Sequence, residues 1–172
     1  SQYMSADTAT RLIDALAVLL VRLQLLGFYW GDVSLSNTLF RRDAGAFSAY
    51  LVDAETGELH PKLTSGQREY DVDLARTNII GELMDLQAGE YFPEDADPIA
   101  VGDRIRSRYD ELWNELTGTE LIDSSQKWKV AQRIQRLTDM GFDVAELKLA
   151  SVAGSTETMT QHQDVDDGQH HR

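Results

Sequence analysis

Leu12, Leu16, Leu19, Leu20 and Leu23 repeat at helical spacing near the start of the chain, and Ile13 and Val18 widen the stripe. A helix that is apolar over so much of its circumference must be covered on most sides. The remaining chain therefore has to build a body around it. Asp7-Thr8 is suited to cap this helix, and Gly27 is a natural stop after Leu26. With 172 residues, 42% of them hydrophobic, the chain is long enough for one domain with a real core.

After Gly27 the pattern changes. Gly31-Asp32 follows an apolar lead-in, and Asn37 comes five positions after Asp32. Leu39 to Arg41 and Tyr50 to Val52 are too short for helices and have strand composition, with Asp43-Ala44-Gly45 as the turn between them. The second strand delivers Asp53. Two carboxylates and one amide thus stand at the ends of a predicted hairpin, a set able to hold a divalent cation and orient a hydroxyl. By itself, an Asp and an Asn five apart is also ordinary turn chemistry.

Three more helices are expected. Val72, Ala75, Ile79, Leu83 and Leu86 place the first over Arg68 to Gln87, with Gly81 as a point of close packing. Ile105, Tyr109, Leu112, Trp113 and Leu116 place the next over Ala100 to Leu116. Asp123-Ser124 opens the last, which runs to Met140 with Trp128, Ala131, Ile134 and Leu137 inward. Leu59 to Gln67 reads as loop, and Phe142 to Leu149 as a short packed segment. The expected fold is mainly α with a small β-hairpin, over residues 1–149. Residues 150–172 read as an acidic, disordered tail.

A net charge of −13 argues against nucleic acid as a partner and against anionic membrane. Without cysteine there are no disulfides, thiolate zinc sites or thiol nucleophiles, which fits a reducing, cytoplasmic setting. No stretch approaches the roughly 20 apolar residues of a membrane span. Six acidic residues and no Lys or Arg lie between Thr77 and Asp97, a pattern expected of a solvated face. His60 reads as a loop residue, and His162, His170 and His171 as tail residues.

The order of buried helix, Gly-Asp loop, Asn, strand pair, strand-end Asp and helix resembles the C-terminal lobe of the protein-kinase-like fold. Trp30-Gly31-Asp32-Val33-Ser34-Leu35-Ser36-Asn37 is similar to its catalytic loop, and Tyr50-Leu51-Val52-Asp53-Ala54-Glu55 to its metal-binding strand end. The likeness is to the atypical branch: lipopolysaccharide kinases of the Kdo/WaaP type, aminoglycoside phosphotransferases, and an uncharacterised bacterial family with a Kdo-kinase-like region. It spans residues 5 to 88 and, more loosely, continues to 140.

The resemblance implies an ATP- and Mg2+-dependent phosphotransferase. Asp32 would be the catalytic residue, accepting the proton of the attacking hydroxyl. Asn37 and Asp53 would hold magnesium against the nucleotide phosphates. Trp30, Ser34 and either Asp71 or Asp73 would support the loop. The protein-kinase histidine and arginine are here Trp30 and Gly31, and the lysine two places after the catalytic aspartate is Ser34. The segment after Asp53 is short and lacks Ala-Pro-Glu, so a small-molecule or glycan hydroxyl is the expected acceptor. The glycine-rich loop, strand lysine and partner glutamate do not occur in the 172 residues. The resemblance assigns them to an N-terminal lobe outside this chain, so the fragment alone is not expected to turn over. Two other readings stand beside the enzyme: a pseudokinase that binds nucleotide or a partner without turnover, and a helical interaction domain in which the three polar residues are incidental.

Overall fold

The computed structural model of the chain describes residues 3–52, 54–117 and 127–139. Asp53 lies outside the described residues, as do Asp123-Ser124, residues 142–149 and the expected tail, 150–172. The elements run α1 (Ala6–Leu25), β1 (Phe28–Tyr29), β2 (Thr38–Asp43), β3 (Ala46–Leu51), β4 (Glu58–Leu59), α2 (Ser65–Ala88), α3 (Pro98–Gly102), α4 (Arg104–Thr117) and α5 (Lys127–Asp139). The fold is mainly α, as the periodicity predicts, with two small antiparallel strand pairs where one hairpin was expected. No helix among the described residues is long and apolar enough to cross a membrane. The chain divides into two units, Ser1–Glu111 and Leu112–Arg172, and the boundary falls within α4.

In the first unit α1 is the central helix. Leu16, Leu20, Val21 and Ile13 are fully buried. It packs against β3, β1 and α3. Its N-cap is Ser5, whose hydroxyl accepts from the Thr8 amide at 3.1 Å, rather than Asp7 or Thr8. The helix therefore starts earlier than a cap at Asp7-Thr8 would place it.

β2 and β3 form the expected hairpin, but longer, pairing Thr38 with Leu51 through to Asp43 with Ala46. Its two-residue turn is Ala44-Gly45, with φ of 51° and 82°. Positive φ at both positions is what the primed turns of tight hairpins require. A second pair, β1 with β4, joins Phe28 to Leu59 and Tyr29 to Glu58, and so takes Leu59 out of the stretch expected to be loop. Two-residue strands leave no period to read. At Gly27, φ is +84° and a Cβ would lie 2.0 Å from the His60 carbonyl oxygen, so only glycine admits this crossing of the chain.

α2 begins at Ser65, three residues before the expected Arg68, because Thr64 and Gln67 close a capping box. A Cβ on Gly81 would meet no other packed group within 4 Å among the described residues, so it is not the close-packing point. That role falls to Gly102, where a Cβ would lie 2.4 Å from Cγ1 of Ile80. The expected single helix from Ala100 to Leu116 is two helices, α3 and α4, broken at Asp103. Asp103 pairs with Arg76 on α2 and so fixes the break. Arg104 makes a forked pair with Asp14 at 2.7 and 3.0 Å, tying the start of α4 to α1. In the second unit Leu112, Leu116 and Leu137 are buried, and Arg136 pairs with Glu115 at 3.1 Å. Ile134, expected inward, is 45% exposed.

Candidate functional site

One face of α2 carries Asp71, Asn78 and Glu82. Two and three helical turns take about 7.2 and 10.8 residues, so the three share that face. Val72, Ala75, Ile79 and Leu83 bury the adjoining stripe. Each polar side chain bonds the backbone of the loop between β1 and β2. The Asp71 carboxylate accepts from the amides of Trp30 and Gly31, both at 2.8 Å. Asn78 Nδ2 donates to the Val33 carbonyl at 2.9 Å. The two Glu82 oxygens accept from the amides of Leu35 and Ser36, each at 2.8 Å.

These bonds follow from the burial around them. Trp30 is 1% exposed and Val33 is fully buried, so their backbone groups have little access to water and need partners. Asp71 has no exposed surface. Burial pushes its carboxyl above the ordinary 3.8, against the downward pull of the bonds from Trp30 and Gly31. Gly31 takes φ +80°, which turns the chain outward immediately before Asp32.

Within the loop the bonds are local. The Ser34 hydroxyl accepts from the Asn37 amide at 3.0 Å and lies 3.2 Å from the Ser36 hydroxyl. Thr38 Oγ1 donates to the Ser34 carbonyl at 2.7 Å, leading directly into β2. Asn37 Nδ2 donates to Asp32 twice, to its backbone oxygen at 3.1 Å and to Oδ2 at 2.9 Å. Asp32 and Asn37 are exposed, whereas Ser34 is buried. The loop thus fixes its backbone inward and presents a carboxylate and an amide outward, in contact with each other.

The structure therefore joins Asp32, Asn37, Ser34, Trp30 and Asp71 in one hydrogen-bonded assembly. Asp73 is elsewhere: it faces Arg106 at 2.8 Å, beside Glu69, in an exposed ion-pair cluster. Of the two aspartates considered for the brace, Asp71 is the one that touches the loop. Asp53 is outside the described residues. Among those described, no group of three or more His, Asp or Glu side chains is placed to hold a metal ion. The donor chemistry still suits magnesium. Asp32 and Asn37 offer hard oxygens, and both Asn37 bonds use Nδ2, leaving Oδ1 at the far end of its amide.

Asn78 and Glu82 are site residues that sequence reasoning missed. They stand seven and eleven positions after Asp71, at the spacing of one helix face, but nothing in the sequence names the backbone groups they bond.

Residues 111–172 match the family described as "Domain of unknown function (DUF4032)". The match covers less than half of the chain and begins well beyond the loop and its clamp. No curated protein matches the chain.

Proposed function

We propose that this chain carries the catalytic-loop half of an ATP- and magnesium-dependent phosphotransferase of the atypical kinase type, acting on a small-molecule or glycan hydroxyl. The observation that carries the reading is the Asp32–Asn37 contact, held outward on a loop whose backbone is fixed by the buried Asp71. Phosphoryl transfer asks for a positioned nucleophile and neutralised phosphate charge, and little covalent work from the protein. An exposed carboxylate can orient the acceptor hydroxyl. As the hydroxyl oxygen bonds to the terminal phosphorus, the bond from that phosphorus to the bridging oxygen breaks, nucleoside diphosphate leaves, and Asp32 takes the proton. The bond from Asn37 keeps the Asp32 carboxylate in one orientation. Asn37 Oδ1 and Asp53 would hold magnesium, which when bound supplies charge neutralisation at the phosphates. The reaction would belong to the full-length protein, with an N-terminal lobe contributing the rest of the nucleotide site.

The test is phosphate transfer from MgATP by the full-length protein to a panel of sugar, glycolipid and small-alcohol acceptors. Asp32→Ala is expected to lower transfer by about 10²–10⁴-fold with nucleotide affinity retained, and Asp53→Ala to weaken MgATP binding. Nucleotide binding with no turnover, indifferent to Asp32→Ala, would make the protein a pseudokinase. Wild-type rates in both variants would reject the assignment of this site.

A further inference from the structure

We infer that Glu82 is a positioning residue for the Asp32–Asn37 pair, an inference that rests on the phosphotransferase reading. Its carboxylate forks onto two consecutive amides, Leu35 and Ser36, in the middle of the segment that separates Asp32 from Asn37. Ser36 is exposed, so water could satisfy its amide without a protein partner. A carboxylate in place of that water gives a fixed, charge-assisted geometry.

The consequence passes along a short chain of contacts. The Ser36 hydroxyl lies against the Ser34 hydroxyl, which receives the Asn37 amide, and the Asn37 side chain reaches back to Asp32. Asp71 and Asn78 hold the first half of the loop at residues 30, 31 and 33. Glu82 alone among these three holds the second half, from which Asn37 projects. Without it the bonds left at the Asn37 end, among the described residues, are all internal to the loop and the start of β2: the Asn37 amide to Ser34, the Asn37 side chain to Asp32 and the Thr38 amide to the Leu35 carbonyl. A displacement on the order of 1 Å at a reacting group can cost about a hundredfold in rate.

Glu82→Gln tests this in the full-length protein, because an amide of the same shape offers one acceptor oxygen where the carboxylate offers two. The expected result is a kcat for phosphate transfer from MgATP lowered about tenfold or more, with KM for MgATP and the melting temperature nearly unchanged. In the wild-type protein, hydrogen exchange at the Leu35 and Ser36 amides should be slow, and rapid exchange at both would overturn the inference without any variant. An unchanged kcat in Glu82→Gln, while Asp32→Ala is inactive, overturns the positioning role and leaves the phosphotransferase reading intact. Loss of fold, or a parallel fall of kcat, nucleotide affinity and melting temperature, assigns Glu82 a structural role only. Wild type and Asp32→Ala equally silent toward every acceptor reject the phosphotransferase reading and this inference with it.

Discussion

Residues 30–38 and 89–97 are both polar, acid-bearing loops, and they are held by different means. The first is fixed from outside, by carboxylates and an amide forty or more positions away on α2. The second is fixed chiefly by its neighbour: Gln87 Nε2 donates to the carbonyls of Pro93 at 2.8 Å and Ala96 at 2.9 Å, Phe92 is buried as an anchor, and one distant bond, from the Met4 amide to the Tyr91 carbonyl at 2.7 Å, joins them. Asp97 caps α3, while Glu90, Glu94 and Asp95 face solvent. A loop held from outside keeps its own side chains free for other contacts, and residues 30–38 direct Asp32 and Asn37 outward. In the acidic run from Thr77 to Asp97, Glu82 and Asp97 have structural bonds, so that run is not a uniform solvated face.

The sharpest way to break this comparison is Asp71→Ala. It removes two bonds to a buried carboxylate and strands the amides of Trp30 and Gly31. Such a change is expected to cost about 3–5 kcal/mol of unfolding free energy, read from urea denaturation. Asp95→Ala in the other loop should leave the midpoint where it was. Equal effects from the two substitutions would mean that the clamp contributes no more than a surface charge.

The same contrast explains what was legible in the sequence. The α1 stripe and the α2 core positions were readable because each is a local pattern whose period the chain repeats, and the hairpin turn at Asp43-Ala44-Gly45 because its residues are adjacent in the chain. Asp32 and Asn37 were readable through the order of motifs around them. Asn78 and Glu82 were not, since their partners are amides and a carbonyl of a distant loop and backbone groups leave no mark in a sequence. Asp71 and Asp73 could not be separated for a related reason: they lie two positions apart on a helix, about 200° around its axis. Only the packed phase of α2, with Val72, Ala75, Ile79 and Leu83 buried, turns one inward and the other toward Arg106. The β1–β4 pair and the break at Asp103 likewise arise from contacts between separate elements.

Gln87→Ala sharpens the other side of the comparison. Losing the side-chain donor to Pro93 and Ala96 should cost about 1–2 kcal/mol. The effect should be local, with faster amide exchange across residues 91–97 and none across 30–38. Spread of the change into residues 30–38 would show that α2 couples the two loops.

The smallest effect is the pH dependence of the clamp, and its sign is the informative part. Burial raises the Asp71 carboxyl above 3.8 in the folded chain, while the unfolded chain ionises near that value. Between the two values the folded state holds a proton that the unfolded state has released. Unfolding free energy from this group is therefore fully present below about 3.8 and is lost as pH rises through the folded value. The amide side chain of the Asp71→Asn variant does not titrate, so the difference between wild type and variant isolates the group from the other carboxylates. On acidification from pH 7, urea midpoints should move in favour of wild type relative to Asp71→Asn. Each pH unit of the window between the two values is worth about 1.4 kcal/mol. A movement in the opposite direction would mean that the amide bonds from Trp30 and Gly31 outweigh the cost of burying the charge. The clamp would then be strongest with Asp71 ionised, and acid would loosen residues 30–38 before it unfolds the chain.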